Sequence, residues 1–309
     1  MNLAFVFPGQ GSQSVGMLTV YADHPVVEQT LVEASEALGQ DLVALVRDGP
    51  EDALASTVNT QPVMLACDVA VYRAWRAEGG PDANVLAGHS LGEYAALVVA
   101  GVFEFADALR IVRLRARAMQ EAVPEGQGGI AAILGLDMDG VRASCVEASD
   151  GDVVEPATFN APGQVVIAGA RAAVERAIAA AKARGAKRAV MLPMSVPAHC
   201  ALMRPAAEAL ARHLDAVSMH SPAIPVVNNA DVAAPADPAR IREALVRQLY
   251  SPVRWIEVVG ELRVRGTTHI LECGPGKVLQ GLVKRIAPDI PSWTLASSQA
   301  IVEARSALV

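Results

Sequence analysis

The sequence has little cysteine, and what it has is widely spaced. Cys67, Cys145, Cys200 and Cys273 are its four cysteines, with no CxxC among them. That spacing argues against a disulfide framework or a zinc site, and predicts four core thiols in a reducing compartment. No leader is expected at the N-terminus, because MNLAFVFPGQ has no basic stretch ahead of its apolar run. The run itself is far too short for a signal peptide or a membrane span. Positive charge is scarce, with 26 Lys and Arg against 33 Asp and Glu, for a formal net charge of −7. Such a chain has no global attraction to nucleic acid or to an anionic membrane, so an acidic partner must dock on a local basic patch. KARGAKR (182–188) and VKR (283–285) are the two candidates. No internal repeat or low-complexity segment interrupts the 309 residues. Hydrophobic residues are plentiful at 52%, against 19% charged, enough for a large core in one large domain or two unequal ones. A cytoplasmic protein is expected, without nucleic-acid or membrane partners and without a metal.

Short apolar strands alternate with helical patterns: LAFVF (3–7), a helix near 57–78, VLAG (85–88), then helices around 91–100 and 104–122. This alternation predicts an α/β domain with a mostly parallel sheet. VPEGQGG (123–129) breaks it as a linker would. A strand over GIAAILGL, a helix near 138–147, strands over VVEPATF and QVVIAG around an NAPG turn, a helix over 171–184 and a strand over KRAVML follow. Their βαββαβ order is that of a ferredoxin-like unit. From Pro193 the first pattern resumes, through IPVVNN, helices near 238–249 and 255–264, and THILECG. The expected fold is therefore α/β, an α/β-hydrolase-like large domain with a parallel sheet (1–124 and 194–309) plus an inserted ferredoxin-like small domain (125–193). A cleft between the two is the natural place for a substrate.

NVLAGHSLGEYAAL (84–97) runs from an apolar strand through Gly-His-Ser-Leu-Gly into a helix. A GxSxG in that context is a nucleophile elbow, and Ser90 is its hydroxyl. The alternative role, capping the helix that follows, does not conflict with it. A serine nucleophile needs a base, and the chain offers six histidines: His24, His89, His199, His213, His220 and His269. His89 adjoins Ser90 on a tight turn and should point elsewhere, while His24, His213 and His220 lie in polar helix-edge or turn surroundings. His269 opens an apolar strand and is the weaker candidate. His199, in LPMSVPAHCALMRPA, sits in a loop fixed by two prolines among apolar neighbours and is favoured. No carboxylate near it suggests itself as a third member, and a backbone or amide carbonyl could hold the imidazole instead. The oxyanion hole should use the Leu91 N–H and an N–H from a second loop. FPGQGSQ (7–13) is the obvious donor, since Gly9 and Gly11 let the backbone of Gln10 approach a ligand. As a nucleotide loop it fails, lacking both a third glycine and a lysine.

In ALRIVRLRARAMQEA, stepping by three and four from Arg115 reaches Ile111, Val112, Ala118 and Met119, so Arg115 interrupts the apolar stripe of its helix. Arg110, Arg113 and Arg117 have polar neighbours at those spacings and are expected to be solvated. A buried guanidinium needs a partner, either an internal Asp or Glu or, beside an acyl-transfer serine, a substrate carboxylate.

Taken together, FPGQGSQ, TQP (60–62), GHSLGEY (88–94), the Arg115 helix ending in MQEAVPEG, NAPGQVVIAG (160–169), SVPAHCALM (195–203), VRQLYSPVRW (246–255) and GPGKVL (274–279) resemble the bacterial malonyl-CoA:acyl carrier protein transacylases of the acyltransferase family. The resemblance covers nearly the whole chain, in order, and departs only in VPAH where many relatives have VPSH. It implies Ser90 as acyl acceptor, His199 as base and acid, Arg115 as the clamp on the malonyl carboxylate, and the Gln10 and Leu91 amides as oxyanion hole. It also implies that a main-chain carbonyl at Gln248 orients the histidine, and that Asn160 lines the cleft. Malonyl-CoA would be the donor substrate, with no cofactor bound permanently, acyl carrier protein the partner, and a free-standing monomer the form. A sister acyltransferase of different acyl preference, a serine hydrolase and an inactive carrier-binding scaffold are the rival readings.

Overall fold

The computed structural model describes residues 1–194 and 196–308. The first stretch holds β1 (Leu3–Phe7), α1 (Pro25–Leu38), α2 (Leu42–Asp48), α3 (Glu51–Ala55), α4 (Thr57–Ala77), β2 (Val85–Gly88), α5 (Gly92–Val99) and α6 (Phe105–Glu121). The middle holds β3 (Gly128–Leu134), α7 (Met138–Ser149), β4 (Val154–Ala161), β5 (Gln164–Ala170), α8 (Arg171–Ala183) and β6 (Arg188–Met191). The last holds α9 (Arg204–Leu214), β7 (Val226–Val227), α10 (Pro238–Gln248), α11 (Trp255–Val264), β8 (His269–Glu272), α12 (Val278–Ile286), β9 (Ser292–Thr294) and α13 (Ser298–Ala307).

The result is an α/β fold with two sheets. Strands β7-β2-β1-β8-β9 form a sheet whose pairings are all parallel. β1 and β2 are buried along their whole lengths, as strands covered on both faces must be. Leu3, Phe5 and Phe7 join the core formed with α1, α4, α5, α6 and α9, while Ala4 and Val6 face the core formed with α11 and α12. The period of two thus splits one five-residue strand between two hydrophobic layers. Among the described residues no helix is long and apolar enough to cross a membrane. The four cysteines are buried and unpaired.

Strands β4-β5-β3-β6 make a separate antiparallel sheet. One face packs on α7 and α8; on the other, Ile130, Ala157 and Ala168 meet Cys200 and Leu202. Val253 extends this contact, donating to the Ala157 carbonyl and accepting from the Phe159 amide, both at 2.9 Å. The small sheet is thereby seated on the loop that carries His199.

The strand and helix positions anticipated from the sequence are present, with β7 reduced to two residues of IPVVNN. The sequence reading passed over α1 to α3, α9, α12, β9 and α13. The short α2 and α3 are separated by Gly49-Pro50 and are too brief to show a period, whereas α9 does bury one stripe, Ala206, Ala207, Leu210 and Leu214, whose two alanines make it inconspicuous in the sequence.

Candidate active site

Parallel register places the site. Phe7 of β1 pairs with Gly88 of β2, and Val6 with Glu272 of β8, so the loops after all three strands emerge at one carboxyl edge. Ser90 stands on the second of these loops at φ 52°, the left-handed region, in which a non-glycine residue is strained. The flanking glycines are required by close approach: a Cβ on Gly88 would lie 2.0 Å from the Gly92 carbonyl carbon, and one on Gly92 would lie 2.0 Å from the Phe7 oxygen. Two backbones therefore touch where side chains would otherwise sit, and the strain falls on the serine between them. The N-cap of α5 is Leu91, and the Ser90 hydroxyl bonds to His199 and Arg115 instead of capping the helix.

His199 arrives from the loop between β6 and α9, also at positive φ, 64°, with its amide donating to the Leu249 carbonyl at 3.0 Å. Nδ1 of its ring lies 2.8 Å from the Gln248 carbonyl oxygen and Nε2 lies 2.7 Å from Ser90 Oγ. A carbonyl can only accept, so Nδ1 carries the proton and Nε2 presents its lone pair to the serine hydroxyl. The sequence left the third member open between carboxylate and carbonyl; the C-terminal residue of α10 supplies a carbonyl. Burial, with the Arg115 charge adding to it, pushes the imidazole pKa down to about 3. The ring is therefore neutral at physiological pH. His269 opens β8, at the opposite edge of the sheet, and stacks on Trp293 instead.

Arg115 projects from the buried face of α6, 1% exposed. Nη1 donates to Gln61 Oε1 at 2.7 Å, and Nη2 to Gln248 Oε1 at 3.1 Å and Ser90 Oγ at 3.2 Å. Its guanidinium carbon lies 5.5 Å from the centre of the Tyr94 ring, and Nε finds no acceptor. Every acceptor here is neutral: among the described residues no carboxylate pairs with Arg115. A fully buried cation whose hydrogen bonds all go to neutral amide and hydroxyl oxygens, with Glu93 near enough to feel its charge but not bonded to it, is left to take an anion from outside. On the same helix Arg110 is exposed and paired with Asp107, whereas Arg113 is half-buried and bonded to Gln40, not solvated as its neighbours suggested.

The loop after β1 lies against the serine turn because Gly9 lacks a side chain; a Cβ there would stand 2.5 Å from the His89 oxygen and 3.8 Å from the Leu91 nitrogen. This brings the Gln10 and Leu91 amides into one neighbourhood, and among the described residues neither donates to a protein acceptor. The Gln10 side chain is held by Thr57 Oγ1 at 3.1 Å, at the start of α4. Asn160, at the end of β4, meets His89 Nε2 at 2.8 Å and so does stand beside the turn. His89 packs against Trp255, with ring centres 5.4 Å apart, and takes no part in the base position.

Three residues here escaped the sequence reading. Gln61 holds Arg115; Asn229 accepts the Ser90 N–H at 2.6 Å and donates to the Gly88 carbonyl at 2.7 Å; Glu93, 2% exposed, lies beneath the turn. Burial pushes the Glu93 carboxyl up to about 7 despite donors from Asn229 and Gln248 and the charge of Arg115. A carboxylate inside the apolar run GEYAALVV was the one signal that could have singled out Glu93. The two basic runs are partly spent on structure, since Arg184 pairs with Glu147 at 2.5 Å and Arg285 donates to the Pro162 carbonyl at 2.7 Å.

Residues 4–298 match the acyl transferase domain family. The malonyl CoA-acyl carrier protein transacylases of Salmonella typhimurium and Escherichia coli K12 are each 55% identical to this chain, over 97% and 98% of both proteins respectively. An acyl-carrier-protein S-malonyltransferase from Burkholderia pseudomallei superposes with a TM-score of 0.98 at 56% identity, over 99% of this chain and 100% of that one. A malonyl-transacylase solved in complex with a type II PKS acyl-carrier protein gives the same TM-score at 51% identity and the same coverage. With the site geometry and these likenesses in agreement along nearly its whole length, the chain belongs to the acyl transferase domain family, among its malonyl CoA-acyl carrier protein transacylases.

Proposed function

We infer that the protein is a malonyl-CoA:acyl carrier protein S-malonyltransferase, moving malonyl from malonyl-CoA to the pantetheine thiol of acyl carrier protein for fatty acid or polyketide synthesis. The observation that carries this reading is the contact of Ser90 Oγ with His199 Nε2 at 2.7 Å, beside a buried guanidinium that pairs with no carboxylate among the described residues. His199 takes the Ser90 proton as Oγ attacks the thioester carbonyl; the Gln10 and Leu91 amides receive the oxyanion; the carbon–sulfur bond breaks and His199 returns the proton to the CoA thiolate. The carrier thiol then gives its proton to His199 and attacks the malonyl-serine ester, releasing Ser90 by the same steps in reverse. Arg115 holds the malonyl carboxylate throughout, and Gln248 holds the tautomer of His199 through its main-chain oxygen. Asn160 keeps His89 and the small sheet against the cleft.

The βαββαβ order over β3 to β6 supports a ferredoxin-like small domain (125–193) inserted in an α/β-hydrolase-like large domain (1–124 and 194–309). A monomeric cytoplasmic enzyme with no resident cofactor or metal completes the proposal. Its test is the intact mass of holo acyl carrier protein incubated with enzyme and equimolar malonyl-CoA and acetyl-CoA. A malonyl adduct alone is expected; an unchanged carrier with malonate accumulating would replace transfer by hydrolysis.

The depressed pKa of His199 predicts an unusual pH profile. A group whose pKa is lowered to about 3 remains in its base-competent, neutral form at all higher pH. The rate of Ser90 acylation should therefore show no histidine limb near the ordinary value of about 6.5. Stopped-flow acylation between pH 5 and 8 checks this. A limb near 7 that vanishes in Glu93→Gln belongs to that carboxyl, whereas one near 6.5 that survives the substitution contradicts the environment described for His199.

A further inference from the structure

Beneath the nucleophile turn lies a carboxyl group to which no step above is assigned. Glu93 Oε2 accepts from the Asn229 backbone N–H and from Gln248 Nε2, both at 2.9 Å. Both donors belong to residues that hold the site. The Asn229 side chain accepts the Ser90 N–H at 2.6 Å and donates to the Gly88 carbonyl at 2.7 Å, gripping the strained turn on its strand side. Gln248 donates its second amide hydrogen to the Ser90 carbonyl at 3.0 Å, accepts from Arg115 through Oε1 at 3.1 Å, and orients His199 through its main-chain oxygen at 2.8 Å.

The direction of the Gln248 amide follows from this arrangement. Two acceptors, Glu93 Oε2 and the Ser90 carbonyl, consume both amide hydrogens, so the amide oxygen must face the guanidinium. Reversed, the amide would aim N–H groups at Arg115, donor against donor. Without the Glu93 acceptor only one of the two acceptors still enforces the orientation. Burying a carboxyl at this position is also costlier than an apolar residue of the same volume would be, which leaves positioning as the physical account of its presence.

We propose that Glu93 is a positioning residue, whose carboxyl oxygen fixes the Gln248 amide, and with it the guanidinium of Arg115, while pinning Asn229 against the Ser90 turn. The proposal rests on the roles assigned above to Ser90, His199 and Arg115. It adds that malonyl selectivity depends on a group that touches no substrate.

The test compares kcat/KM for malonyl-CoA and acetyl-CoA in wild type, Glu93→Met and Glu93→Gln, each checked by circular dichroism. Glu93→Met keeps the volume and removes the acceptor. It should lower malonyl kcat/KM about 10²-fold, the scale of a small misplacement of catalytic groups. Acetyl should fall much less, so that the malonyl preference shrinks. Glu93→Gln keeps an oxygen able to accept both bonds and should recover to within about fivefold of wild type. Should Glu93→Met not fold, Glu93→Asp takes its place, since it withdraws the carboxylate by one methylene and must also lose selectivity. Equal losses for both donors, or a Glu93→Gln as damaged as Glu93→Met, would overturn the proposal. If wild type itself fails to prefer malonyl, the clamp assigned to Arg115 falls first and this inference with it; a selective wild type with an insensitive Glu93 refutes the inference alone.

Discussion

Ser90→Ala is expected to abolish malonylation of both enzyme and carrier, with a loss of about 10⁴-fold or more, because the covalent intermediate loses its only attachment point. The neutral imidazole 2.7 Å away cannot compensate, since in this variant it has no hydroxyl to deprotonate. The fold should be indifferent to the change. Ser90 is half-buried, its strain comes from a φ of 52°, and alanine meets the same backbone penalty as serine. Ser90→Gly separates the two effects: it is equally inactive, but releases left-handed strain of about 1 kcal/mol and should melt above wild type. Intact mass after incubation with malonyl-CoA, together with calorimetry, measures both. A malonyl adduct on Ser90→Ala would remove Ser90 from the mechanism, and a Ser90→Gly protein that melts lower would show that the turn is not strained.

Arg115→Ala carries the second large effect, and its sign differs between substrates. Truncating one partner of a buried charge pair costs about 2–5 kcal/mol, so malonyl kcat/KM should fall by roughly 30-fold to a few thousand-fold. Acetyl-CoA presents no carboxylate and in wild type leaves the guanidinium sealed with only neutral hydrogen-bond partners. Removing Arg115 removes that penalty, so acetyl transfer should hold or rise. Arg115→Lys is expected to restore little, because the present guanidinium serves Gln61, Gln248 and Ser90 at once and an ammonium lacks that planar fork. An unchanged ratio of malonyl to acetyl transfer would refute the clamp.

The parts of the site legible in the sequence are those in which a side chain contradicts its surroundings. Arg115 breaks an apolar stripe, Ser90 stands between two glycines at the end of a strand, and His199 occupies a proline-fixed loop. The large elements were legible too, because the fully buried β1 and β2 stand out as short continuous apolar runs and the 17 residues of α6 carry a helical apolar stripe. Main-chain roles leave no such trace. The carbonyl that orients His199 could have belonged to any residue, and only the resemblance pointed to Gln248. Asn229 was invisible for another reason: it reaches the Ser90 amide across 139 positions of sequence, a distance over which no local pattern extends. Glu93 was visible as an anomaly, but its two donors come from β7 and α10 connections that only the folded chain brings beneath the turn.

The order in which the strands pair has a bearing on synthesis. The antiparallel sheet uses one unbroken stretch, from Gly128 to Met191, so its partners leave the ribosome close together. The parallel sheet does not: Leu3 of its central strand pairs with His269 on one side, and β1 keeps that edge bare until β8 has been made. Long-range pairing of this kind is intrinsically slow, and a bare apolar edge is the part of a nascent chain most exposed to aggregation. Ser90, His199 and Gln248 all precede β8, so every reacting group exists before the sheet that aligns them is whole. The nascent polypeptide therefore carries its chemistry in disassembled form, and the catalyst comes into being only once β8 has been made.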